Sequence, residues 1–207
     1  MAGGLGFRAY RGSLRRLAAQ GAHVIAPALP GFGGNPGLPA VNLSFAGYGR
    51  WLDGFLDALG IAEPVAVVGH SFGGGVGIQF AHDHPDRVRS LVPVNSVGGS
   101  ASGHHGSVLR SLAERPLWDW GIHLPLDLLP IRQLTRVVPV ILEGMLPNVI
   151  RDPLSVWRVS RLARSADLIA ELETLRRRGL PIVVLWGRAD PPGVDGVAVR
   201  GSGNRSR

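Results

Sequence analysis

The stretch that most constrains this chain is residues 64–80, PVAVVGHSFGGGVGIQF. An apolar run, VAVVG at 65–69, predicts a buried strand. It leads straight into a serine set among glycines, and a glycine-rich helical pattern follows from 72 to 83. Gly69-His70-Ser71-Phe72-Gly73 fits G-x-S-x-G in the strand, turn, helix setting that this motif requires. A serine on so tight a turn sits in a strained backbone conformation, with its Oγ raised at the carboxyl edge of the sheet. Side chains at 69 and 73 would collide with the crossing strand and helix, which favours hydrogen at both. The N–H of Phe72, at the helix start, then points toward an oxyanion developing on a carbonyl attacked by Ser71. The same five-residue pattern arises by chance in glycine-rich chains; the flanking strand and helix give this match its weight.

Periodicity and turn residues order the rest. Residues 8–20 predict a helix with Leu14, Leu17 and Ala18 on one side, closed by Gly21. HVIAPAL (23–29) predicts a short buried strand, and PGFGGNPGLP (30–39) a loop. Ser44 reads as an N-cap, with Phe45, Tyr48, Leu52, Phe55, Leu56 and Leu59 at helical spacing before Gly60. RSLVPVNS (89–96) predicts another strand, although Pro93 is unusual in an interior one. Residues 97–178 change character: Trp118, Trp120, Trp157, many leucines and repeated prolines predict several short helices. PIVVLWG (181–187) returns to a buried-strand pattern. Strands alternating with helices predict a mostly parallel α/β sheet flanked by helices. The expected organisation is a core of residues 1–96 and 179–207, with 97–178 inserted between two strands.

These stretches together resemble the α/β-hydrolase superfamily in its cap-bearing branch. VIAPALPGFGG, VVGHSFGGG, HPDRVRSLVPVNS and PIVVLWGRADPP occur in family order and span most of the chain. The resemblance implies a Ser-His-acid hydrolase with Ser71 as nucleophile and Asp190 as the acid that orients an imidazole. It implies an oxyanion hole built from the N–H of Phe72 and one from the loop at residues 1–6, at Gly3. It implies that 97–178 is a helical cap over Ser71. Trp118, Trp120, Met145, Leu146 and Trp157 would then line an apolar pocket for a small acyl or aromatic substrate; packing the lid onto the core would account for them equally well. The serine argues against relatives that form an ester on an aspartate. Ala28 departs from the family, which often carries aspartate there.

Two family features are not found. The triad runs Ser, acid, His in chain order, yet no histidine follows Asp190. The seven histidines are 23, 70, 82, 84, 104, 105 and 123. In the family pattern His70 lies in the elbow and points elsewhere. His82 and His84 diverge on a helix end and make a poor metal pair. His104 and His105 could approach the site, but read better as loop residues; His123 sits among cap leucines. The His-Gly loop and first strands that the family places before position 8 are not found either. The expectation is therefore a fragment, or a gene model with a wrong start and a late frameshift, lacking the first strands and the last strand and helix. Its turnover should be weak, and a non-catalytic binding protein is the alternative.

Composition narrows the rest. The net charge is +7, and all 22 basic residues are arginine. They are dispersed except for Arg176-Arg177-Arg178, which end a predicted helix where cations favour the dipole. Nucleic-acid binding, which needs basic residues clustered on one face, is not expected. With no cysteine, disulfides and thiolate metal sites are excluded. No metal or cofactor is implied, since GHSFGGG lacks a phosphate-loop lysine. The expected partner is a small apolar substrate. With no signal peptide or apolar run long enough for a membrane span, the expected location is the cytoplasm.

Overall fold

The computed structural model describes residues 10–98 and 148–185. In it, helix α2 (Phe45–Ala58) begins where Ser44 was expected to cap it: Ser44 Oγ accepts the Gly47 N–H at 3.0 Å. Phe45, Tyr48, Leu52 and Leu56 are buried, one face of the helix at 3.6-residue spacing. Gly60 follows in the left-handed region at φ 67. The preceding helix, α1 (Arg11–Ala19), is amphipathic as predicted but buries none of its residues, and Leu17 is 41% exposed.

Strand β1 (Val65–His70) pairs in parallel with β2 (Val88–Val94), and helix α3 (Phe72–Asp83) connects them. Among the described residues the sheet has these two strands, β1–β2, and residues 181–185 run parallel to β2 through bridges at Ile182 and Leu185. β2 is therefore interior, and hydrogen bonding explains how it carries a proline. Leu91 N–H donates to Pro181 O at 3.0 Å, Val183 N–H to Leu91 O at 3.0 Å, Leu185 N–H to Pro93 O at 2.9 Å and Asn95 N–H to Leu185 O at 2.9 Å. In that alternation the missing N–H of Pro93 would have met the Val183 carbonyl. The strand gives up one rung and keeps the rest.

Three strand expectations need correction. Residues 181–185 are not buried, since one face of this edge of the sheet is uncovered among the described residues: Val183 is 55% and Leu185 49% exposed. Residues 23–29 do not form a strand; apart from one bridge at Ala28 the stretch runs outside the ladder, although Leu29 is fully buried. Leu29 alone of the stretch joins the core, and local sequence cannot distinguish such packing from sheet pairing. β1 is buried on one face only: Val67 and Gly69 are covered, whereas Val68 is 42% exposed.

α3 is apolar from Phe72 to Ile78 and buried along most of its length, with Gln79, His82 and Asp83 outside the core. It lies against the sheet, against α2 and against helix α5 (Ile169–Arg177), which contributes Leu175 to the same core. Helix α4 (Pro153–Arg164) precedes α5 and is N-capped by Asp152, whose Oδ1 accepts the Ser155 N–H at 2.9 Å. Among the described residues no helix is long and apolar enough to cross a membrane.

Candidate active site

β1 ends at His70 and α3 begins at Phe72, leaving Ser71 on the turn between them. Its backbone takes φ 52 and ψ −120, in a region that non-glycine residues rarely enter. Such a conformation costs about 1–3 kcal/mol and persists only where its surroundings impose it. Here the imposition comes from hydrogen bonds on both sides. Ser71 N–H donates to Val94 O at 3.0 Å, at the end of β2. Ser71 O accepts from Gly74 N–H at 2.9 Å, Gly75 N–H at 3.4 Å and, across the sheet edge, Val97 N–H at 3.2 Å. The Ser71 hydroxyl makes no capping bond to its own helix, and the residue is half-buried.

Gly69 has the steric reason expected of it. A Cβ on Gly69 would stand 2.6 Å from the carbonyl carbon of Gly73 and 2.7 Å from Gly74 Cα. Two further glycines were legible only as part of a glycine-rich helix. A Cβ on Gly74 would lie 2.6 Å from Ser96 Cβ, and one on Gly75 would lie 2.8 Å from both Phe45 and Val97. The loop after β2 thus packs directly onto the first turn of α3.

Phe72 is anchored by its ring, which meets Tyr48 edge-on at 5.0 Å and contacts Phe45 at 5.3 Å and Phe32 at 5.5 Å. Tyr48 is itself fixed, its buried hydroxyl donating to Pro30 O at 3.0 Å; burial pushes its pKa well above the usual phenol value. This aromatic cluster ties the start of α3 to α2 and to the 30–37 loop. The Phe72 N–H is left at the open N-terminus of α3, where an anion is favoured.

His70 is held by a residue the sequence reading did not single out. Its Nδ1 lies 2.8 Å from the Tyr10 hydroxyl, and the two rings sit 5.6 Å apart. Burial lowers its pKa below the ordinary histidine value. His82 and His84 lie at the far end of α3, roughly 18 Å along the helix from Ser71 at 1.5 Å per residue. His82 contacts Asp83 at 2.8 Å and His84 approaches Asp53 at 3.5 Å, so neither is brought to the serine. His23 is exposed. Among the described residues no three metal-ligating side chains converge. Gly3, Asp190, His104, His105, His123, Trp118, Trp120, Met145 and Leu146 lie outside the described residues.

α4 reaches this region through the loop. Asn148 accepts the Gly34 N–H at 2.7 Å and donates through Nδ2 to Asn35 O at 3.0 Å. Ser155 and Val159 pack against Gly31, at 3.4 and 3.7 Å from where its Cβ would be. Trp157 is 44% exposed and carries Arg161 over its ring at 5.7 Å. The three terminal arginines have local uses: Arg176 pairs with Glu173 at 2.8 Å, Arg177 donates to Thr174 Oγ1 at 3.0 Å and Arg178 donates to His82 O at 2.7 Å.

Comparison with known proteins agrees with this geometry. A family profile described as alpha/beta hydrolase fold matches residues 2–122. An uncharacterized protein of Mycobacterium tuberculosis is 32% identical over 192 residues, covering 83% of this chain and 55% of its own length. The chain thus spans about half the length of that relative. A 2-hydroxymuconate semialdehyde hydrolase of Pseudomonas putida is 45% identical over 92 residues, 43% of this chain and 31% of that protein. Among solved structures, a hydrolase from Pseudomonas aeruginosa superposes with a TM-score of 0.64 at 21% identity, over 89% of this chain and 68% of that one. A thermophilic esterase from Thermogutta terrifontis gives 0.62 at 22% identity, over 86% and 65%. These structural likenesses establish the fold.

Proposed function

This chain belongs to the α/β-hydrolase fold family, and on that premise we propose that it is a serine hydrolase acting on an ester or related acyl bond of an apolar small molecule. Ser71 Oγ attacks the carbonyl carbon, the leaving group departs as the acyl-enzyme forms, and water releases the acid. The observation that carries this reading is the backbone of Ser71, held at φ 52 by hydrogen bonds to Val94 and Val97. Strain of that kind collects at reactive sites. The Phe72 N–H and one from the loop at Gly3 hold the oxyanion, and Asp190 orients an imidazole. The semialdehyde in the name of the Pseudomonas putida relative carries a carbonyl, the group that attack by Ser71 needs.

The inserted residues 97–178 supply the lid over Ser71, apart from α5, which packs into the core against α3. In support, α4 rests on the loop whose Phe32 touches Phe72, and it carries Trp157 partly exposed. The test is labelling by a fluorophosphonate probe, with the modified peptide located by mass spectrometry. Labelling at Ser71, absent in Ser71→Ala, supports the reading. Labelling elsewhere overturns it, as does p-nitrophenyl acetate hydrolysis undiminished in Ser71→Ala. A ligand-induced rise in melting temperature without labelling would instead select a binding protein that kept the pocket.

A further inference from the structure

His70 ends β1 and stands beside the proposed nucleophile, with its imidazole half-buried. Its Nδ1 is 2.8 Å from the hydroxyl of Tyr10, which caps the start of α1 and lies 60 residues away in sequence. The rings touch at a tilt of 57°. A phenol and an imidazole nitrogen can share a proton in either sense. The phenol O–H is the more acidic donor, and an unprotonated ring nitrogen is a better acceptor than a phenol oxygen. The O–H to Nδ1 sense is therefore favoured, and a neutral ring then carries its own proton on Nε2. Burial lowers the pKa of His70, which keeps the ring neutral as this arrangement requires. Nε2 makes no hydrogen bond among the described residues.

We propose that Tyr10 is a positioning residue: its O–H donates to His70 Nδ1, fixes the imidazole proton on Nε2, and makes that N–H a donor to an oxygen of the tetrahedral adduct formed at Ser71. This rests on Ser71 being the nucleophile. The pair supplies a polar contact from β1, separate from the N–H groups at the start of α3. It also makes α1, which buries none of its own residues, part of the site's construction.

The experiment uses the whole chain, labelled with 15N-histidine, and phenylboronic acid as the probe. The boron bonds to a serine oxygen to give a tetrahedral boronate, and the hydroxyl proton passes to solvent. Imidazole 15N shifts report the tautomer whether or not the protein turns over substrate, and loss of a signal in the His70 variants identifies it among the seven histidines. Wild-type protein should show His70 protonated on Nε2, and Tyr10→Phe, which keeps the ring, should mix the tautomers. Boronate affinity should fall about tenfold in Tyr10→Phe and in His70→Asn, the effect of one lost hydrogen bond. His70→Gln, whose amide nitrogen reaches the place of Nε2, should recover most of that loss. A His70 protonated on Nδ1 overturns the proposal, as does Tyr10→Phe with an unchanged tautomer. So does a boronate affinity within about twofold of wild type in both Tyr10→Phe and His70→Asn. Failure of the Ser71 reading looks different: Ser71→Ala would then bind the boronate as wild type does, with the tautomer result standing. Wild-type protein that binds no boronate removes the donor role outright.

Discussion

Adding one methyl group at residue 69 should damage both the fold and the reactivity of the elbow. In Gly69→Ala the new Cβ would lie 2.6 Å from the Gly73 carbonyl carbon and 2.7 Å from Gly74 Cα, and closer still to the Gly73 oxygen. All are backbone atoms of the first turn of α3, so none can swing aside as a side-chain tip could. Carbon atoms pack at about 3.5–4.0 Å, which requires a retreat of roughly 1 Å. Overpacking costs about 1–3 kcal/mol, and rigid backbone puts this case near 3 kcal/mol. At about 2–4 °C per kcal/mol for a chain of this size, the melting temperature should fall by about 6–12 °C. Gly54→Ala is the control. It makes the same change in α2 where nothing lies within 4 Å, and should gain up to about 1 kcal/mol. Thermal melts and fluorophosphonate labelling of both variants read the result. The retreat shifts the Phe72 N–H away from Ser71 Oγ, so folded Gly69→Ala should label about tenfold more slowly, equivalent to ~1.4 kcal/mol in the barrier. If Gly69→Ala melts within about 1 °C of wild type and labels at the wild-type rate, the steric account of the elbow is wrong.

Ser71→Gly should abolish labelling yet stabilise the fold by about 1 kcal/mol, the relief of about 1–3 kcal/mol of strain less about 0.5–1 for glycine's extra freedom; a lower urea midpoint would mean that the turn is not strained. Ser44→Ala removes the acceptor for Gly47 N–H and should cost α2 about 1 kcal/mol in urea unfolding; a midpoint unchanged from wild type would show the cap to be idle. His70 gives a pH dependence of definite sign. Burial lowers its pKa in the fold, so the unfolded chain takes up the proton first as pH falls below the ordinary value of 6.5. The contribution is intact above that value and is lost on acidification down to the folded-state pKa. The urea midpoint of His70→Gln should therefore fall less than that of wild type between about pH 7 and pH 5; parallel curves would remove His70 as the cause.

What the sequence disclosed was what local chemistry encodes. The Ser44 cap, the face Phe45-Tyr48-Leu52-Leu56 and the turn at Ser71 are each written within a dozen residues, and each appears as read. The stretch 23–29 was misread because its apolar run is the same whether it pairs in a sheet or packs without one. Tyr10 went unnoticed because its partner is 60 residues away and nothing around it departs from an ordinary helix start. Gly74 and Gly75 carried a readable signal, four glycines among six residues from 72 to 77, but the atoms that require them, on Ser96, Phe45 and Val97, belong to other elements. The contact between Asn148 and the 30–37 loop joins residues 113 and 114 apart, beyond any periodic pattern.

That contact bears on how this protein can vary. By receiving one main-chain hydrogen and offering one of its own to a main-chain oxygen, the carboxamide of Asn148 imitates a peptide unit of a neighbouring strand. It grips the loop without consulting the identity of the loop's side chains. As far as this grip goes, relatives are free to drift at position 35, whereas position 34, at φ 86, favours glycine, and position 148 is held: aspartate has the same outline but no hydrogen to give, and would set a negative charge against the carbonyl of residue 35.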